Sequence, residues 1–137
     1  MIEFLKNTSR GYIFSSSLPP SICASVLKAL EILENEPELH RSLVENFTYL
    51  NQQVKQLGFQ TGVTESAIIP VMLGDENTAF FYTKELEKRD ILVNPVIYPA
   101  VRKRESRLRV SVMATHTRKQ LDHFIEALAE IKNKSQN

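Results

Sequence analysis

The chain has 137 residues, of which 42% are hydrophobic and 24% charged, and its net charge is +1. That is the size and makeup of one ordinary globular domain, able to bury roughly two thirds of its unfolded surface. The balanced charge argues against a polyelectrolyte as the main partner. Cys23 is the single cysteine, which excludes an internal disulfide and a cysteine-built zinc site. No apolar run reaches the ~18 residues of a membrane span, and residues 1–11 lack the apolar block of a signal peptide. These features predict a soluble, cytoplasmic protein without a membrane span.

In chain order, residues 1–20 read as a lead-in segment, with the serine run Ser15, Ser16 and Ser17 just before Leu18-Pro19-Pro20. One of the two prolines suits the first turn of a helix, where its missing N–H costs nothing. Behind them Ile22, Val26, Ala29, Leu30 and Leu33 predict a first helix to about Asn35. Pro37 opens a second, whose Leu39, Leu43, Phe47, Leu50, Val54 and Leu57 step by three and four until Gly58 stops it. The apolar run from Ala67 to Leu73 predicts a strand, with Pro70 marking an edge or a bulge. Residues 76–88 follow as a helix with Ala79, Phe80, Thr83 and Leu86 inward, and Ile91, Leu92 and Val93 as a short second strand. Residues 94–106 read as an irregular loop, and residues 107–113 alternate as a third strand. Thr117-Arg118-Lys119-Gln120 has the form of a capping box for a last helix, with Leu121, Phe124, Ile125, Leu128 and Ile131 inward. The predicted fold class is α+β: a small, mostly antiparallel three-stranded sheet covered by helices, in the order ααβαββα. Residues 21–137 make up that domain.

The third strand carries the most chemistry. Side chains alternate across a strand, so Leu108, Val110 and Val112 face one way and Arg107, Arg109 and Ser111 the other. A guanidinium is the natural grip for a carboxylate, because its planar fork makes two parallel hydrogen bonds. The alternative is a pair of solvent-facing charges, and alternation does not choose between the two arginines. Arg102, Lys103 and Arg104 form a basic loop nearby, suited to an anion such as a phosphate or coenzyme A, or simply solvated. No aromatics interleave these bases, so nucleic acid is not an expected partner. His116 stands before the capping box without a nucleophile motif and is read as a hydrogen-bonding corner residue. His40 and His123 fall outside the core stripes of their helices.

Several stretches, in order, resemble the C-terminal domain of the α-oxoamine synthases. These are class II aminotransferase-like, fold type I pyridoxal-phosphate enzymes that include serine palmitoyltransferase, glycine C-acetyltransferase and 8-amino-7-oxononanoate synthase. The segment from Ile13 to Pro20 resembles the family's entry into that domain, and Ala67 to Asp75 its Ile-Ile-Pro-Val strand. Asn94 to Val101, Ser106 to Ser111 and Ala114 to Thr117 resemble its closing signature. The resemblance implies condensation of an amino acid with an acyl-coenzyme A on pyridoxal 5'-phosphate (PLP). It gives Arg109 the amino-acid carboxylate. It gives Ser15 the cofactor phosphate of a partner subunit, with Phe14 and Ser16 flanking that contact. It also implies a homo-oligomer or docking onto a large domain. The family's Schiff-base lysine lies in a glycine-rich stretch for which this chain has no match, since its four glycines are Gly11, Gly58, Gly62 and Gly74. Arg102 and Arg104 stand where the family commonly has a proline and a glycine. The expectation is therefore a domain that is inactive alone and holds no covalent PLP. Its rival is a non-catalytic interaction module that binds a partner subunit.

Overall fold

In the computed structural model, which describes residues 1–13 and 18–135, the chain begins with two short helices that no apolar stripe announces. These are α1 (Ile2–Thr8) and α2 (Arg10–Ile13). Pro20 then fixes the first turn of α3 (Pro20–Asn35), as its locked φ and missing N–H favour. These helices form one compact unit, Met1–Glu36, in which no described residue is buried.

The second unit, Pro37–Asn137, holds the core. It opens with α4 (Pro37–Gln56), which ends where Gly58 takes a φ of 81°. There the Phe59 N–H bonds the Val54 carbonyl at 3.3 Å and the Gly58 N–H the Lys55 carbonyl at 2.9 Å. That pair of bonds is a Schellman stop, satisfying carbonyls that the helix end would otherwise leave bare. Strand β1 (Ile68–Gly74) follows, with a bulge between Met72 and Gly74. Helix α5 (Glu76–Glu87) is capped by Asp75, which accepts from the Thr78 N–H at 2.9 Å. Strands β2 (Asn94–Val96) and β3 (Ser106–Ser111) precede α6 (Arg118–Ser135). The α6 capping box closes reciprocally: the Thr117 N–H reaches Gln120 Oε1 at 2.9 Å and the Gln120 N–H reaches Thr117 Oγ1 at 3.3 Å.

The sheet is antiparallel throughout, in the order β1-β3-β2. This is the expected α+β class, with two corrections in detail. The second strand is not Ile91, Leu92 and Val93 but the next three residues. Asp90 adopts a φ of 59°, and the Ile91 N–H returns to the Leu86 carbonyl at 3.1 Å. Ile91 is thereby spent on ending α5, and Ile91 and Val93 pack on the core without joining the ladder. On α5, Phe80 is 43% exposed and Tyr82 takes its place inside, at 3%.

Pro70 lies on an edge strand, as its missing N–H requires. The Met72 N–H points away from β3 and donates to the Gln60 carbonyl at 2.9 Å. Amides two apart on a strand face the same side, so the Pro70 nitrogen also lies on that outer edge.

Leu50 and Val54 of α4, Ile69 and Val71 of β1, Leu86 of α5, Leu108 of β3, and Leu128 and Ile131 of α6 form the centre of the core. Burying each such side chain contributes about 1.5–3 kcal/mol. Helices α4, α5 and α6 all serve the same face of the sheet. The other face of this unit is left open.

Candidate functional site

β3 is the central strand, hydrogen-bonded on both sides. Leu108, Val110 and Val112 are buried toward the helices, as alternation predicts. Arg107, Arg109 and Ser111 take the open face. The two arginines differ there. Arg107 is half-buried and committed to its neighbour: its Nε donates to the Glu105 carbonyl at 3.0 Å and its Nη2 to Glu105 Oε2 at 3.3 Å. Arg109 is exposed and has no hydrogen-bond or ion-pair partner among the described residues. Its register partners are Pro70 on β1 and Asn94 on β2. Directly opposed residues of an antiparallel pair share a face. Asn94 therefore brings a carboxamide to the side of the sheet that carries the Arg109 fork. Sequence reasoning places Asn94 in a loop; the structure puts it in the three-residue β2, opposite Arg109.

His116 does hold the strand-to-helix corner, its Nδ1 accepting from the Met113 N–H at 3.2 Å. Asn46 of α4 clamps the same corner, donating to the His116 carbonyl at 2.8 Å and to the Met113 carbonyl at 3.2 Å. His40 and His123 are exposed, outside the core. Phe14, Ser15 and Ser16 lie outside the described residues. A cleft of about 230 Å³ lies between the end of β3, residues 90–93 and α6, and no arginine or lysine lines it. Among the described residues no cluster of three or more His, Cys, Asp or Glu could hold a metal ion. No described helix is long and apolar enough to cross a membrane.

Whether these residues would hold PLP is decided by its demand for a lysine amine. Lys6, Lys28, Lys88 and Lys134 pair with glutamates on helix surfaces. Lys132 donates to the Leu57 carbonyl, Lys103 lies over the Tyr98 ring, and Lys55, Lys84 and Lys119 are exposed on helices. None is on a strand of the sheet, where Arg109 lies. Among the described residues the open face offers an unpaired guanidinium, a group able to fork a carboxylate, with no lysine on the strands beside it.

The chain belongs to the aminotransferase class I and II family, which it matches over residues 1–128. It is 42% identical to serine palmitoyltransferase from Sphingobacterium spiritivorum over 96% of this chain and 33% of that protein. It is 36% identical to 8-amino-7-oxononanoate synthase from Bacillus pumilus over 95% and 33%, respectively. Among solved structures it is similar to serine palmitoyltransferase from S. paucimobilis, with bound PLP-myriocin aldimine, at a TM-score of 0.85 and 30% identity. That likeness covers 96% of this chain and 34% of the solved one. The chain spans about a third of the length of the curated relatives it matches.

Proposed function

We propose that this chain is the small, C-terminal domain of a PLP-dependent acyl-CoA:amino-acid C-acyltransferase, serine palmitoyltransferase-like or glycine C-acetyltransferase-like. Within it Arg109 binds the amino-acid carboxylate. The observation that carries this reading is the contrast along β3: Arg107 is tied to Glu105, while Arg109 offers an unspent fork on the open face. A guanidinium in that position orients the substrate by two parallel hydrogen bonds and offsets its charge. Asn94 supplies a neighbouring amide. Residues 1–20 act as the lead-in that touches the large domain or a dimer partner, with Ser15 reaching the cofactor phosphate between Phe14 and Ser16. Residues 21–137 form the small domain proper. The cofactor and its lysine belong to the rest of the enzyme, so the chain alone does not turn over.

The exposed apolar residues of α3, among them Ile22, Val26, Leu30 and Leu33, also suit a non-catalytic module that only docks on a partner. One experiment separates the two. With the lysine-bearing portion of a related enzyme supplied in trans or by fusion, Arg109→Lys is expected to raise the amino-acid KM roughly ten- to a hundredfold, the loss of one charge-assisted contact of ~1.5–3 kcal/mol. Arg107→Lys is expected to change it little. Equal effects of the two substitutions would refute the assignment, and absence of any turnover with the unmodified chain would favour the docking module.

A further inference from the structure

We propose that the loop between β2 and β3 is the binding site for the phosphorylated nucleotide end of coenzyme A. This rests on the acyl-CoA donor of the function proposed above. Arg102, Lys103 and Arg104 are consecutive and exposed. Tight turns hold their backbone: the Ala100 N–H bonds the Ile97 carbonyl at 2.9 Å, and the Glu105 N–H bonds the Arg102 carbonyl at 3.0 Å. Among the described residues neither Arg102 nor Arg104 has an ion-pair partner. Lys103 lies over the Tyr98 ring with its ammonium 5.5 Å from the centroid, a contact that leaves its charge in place.

The nearby acids are spent elsewhere. Glu105 is held by Arg107 at 3.3 Å. Asp75 adjoins Gly74, where an added Cβ would lie 4.0 Å from the Arg104 carbonyl, but its carboxylate is engaged in its own helix cap with Thr78. Three uncompensated cations on one loop are conspicuous in a chain whose entire net charge is +1. Such a cluster concentrates positive potential at one point, and arginine forks match phosphate oxygens.

The placement also suits this donor. Coenzyme A carries its thioester at one end of the pantetheine arm and its phosphates at the other. Arg104 precedes Arg109 by five residues, a reach of at most about 17 Å along an extended chain. One strand and the loop that feeds it would then grip both substrates, the amino acid by its carboxylate and the donor by its phosphates.

The test is a titration of this chain by calorimetry with coenzyme A, dephospho-coenzyme A, pantetheine and inorganic phosphate. Affinity is expected to fall in the order coenzyme A, dephospho-coenzyme A, pantetheine, and to weaken as salt is raised. The double variant Arg102→Gln with Arg104→Asn should lose coenzyme A binding roughly tenfold or more, with its pantetheine binding unchanged. Asparagine suits position 104 because Arg104 has a φ of 67°, in the left-handed region that asparagine tolerates. No binding of coenzyme A at millimolar concentration, equal affinity for coenzyme A and pantetheine, competition by inorganic phosphate at equal strength, or an unaffected double variant would each overturn the proposal. Failure of the acyltransferase reading shows elsewhere, as absence of turnover when the lysine-bearing portion is restored.

Discussion

Ser106 opens β3 at 1% exposure, and among the described residues its hydroxyl is the buried side-chain group without a hydrogen-bond partner. A polar group hidden in that way costs about 1–3 kcal/mol. Ser106→Ala is therefore expected to stabilise the chain by about 1 kcal/mol, read as a higher midpoint in urea unfolding; a lower midpoint would show that the hydroxyl has a partner after all. Single residues were the hardest scale to read from sequence. Alternation put Arg107 and Arg109 on one face but treated them alike, because the tie from Arg107 to Glu105 depends on how the β2–β3 loop turns. Asn94 was hidden by the apolar triplet before it, which draws the eye to the wrong three residues. His116 was legible, because a polar residue between a strand and a capping box has few places to go.

At the scale of elements, Asp75 shows how far a local signal reaches. Its carboxylate accepts from the Thr78 hydroxyl and N–H, and these bonds, the hydroxyl's first, hold it below the usual carboxylate range. A depressed folded-state pKa stabilises the fold above the unfolded value near pH 4, and that contribution fades as pH falls through the lower folded value. Asp75→Ala is expected to cost about 1 kcal/mol at neutral pH. Asp75→Asn, which keeps a cap but cannot titrate there, should flatten the loss of stability measured between about pH 5 and pH 2. An unchanged acid limb would contradict the assignment. The long helices were legible because α4 and α6 repeat their apolar residues over many turns. The helices α1 and α2 were not, since they bury nothing that would impose a stripe. The position of β2 was not, because the end of α5 claims Ile91 first.

Across the molecule, composition anticipated a core but not where apolar surface would remain. In Met1–Glu36 the side chains of Ile2, Phe4, Ile22, Val26 and Leu30 are all about half exposed or more. Patches of that kind mark interaction surfaces, and the known relatives are about three times as long as this chain. The sheet face that carries Arg109 belongs to the same account, since within Pro37–Asn137 helices α4, α5 and α6 cover only its other side. Pattern alone read that face as either solvent or cleft. Alternation sorts residues between the two faces of a strand but carries no record of what meets the polar one.

Pro70 has one more effect. A strand at the rim of a sheet is a template on which other chains can stack, and an apolar Ile-Ile-Pro-Val-Met-Leu rim would otherwise invite it. Here the rim is blunted twice: the Met72 amide is already taken by Gln60, and at position 70 there is no amide hydrogen to offer. The proline thus withholds the amide hydrogen that an incoming strand would need, while leaving the β1–β3 pairing intact. Pro70→Val should keep the native circular dichroism at low concentration yet shorten the lag before thioflavin-positive fibrils form on gentle heating. Identical lag times for the two proteins would mean that the rim is guarded by something other than Pro70.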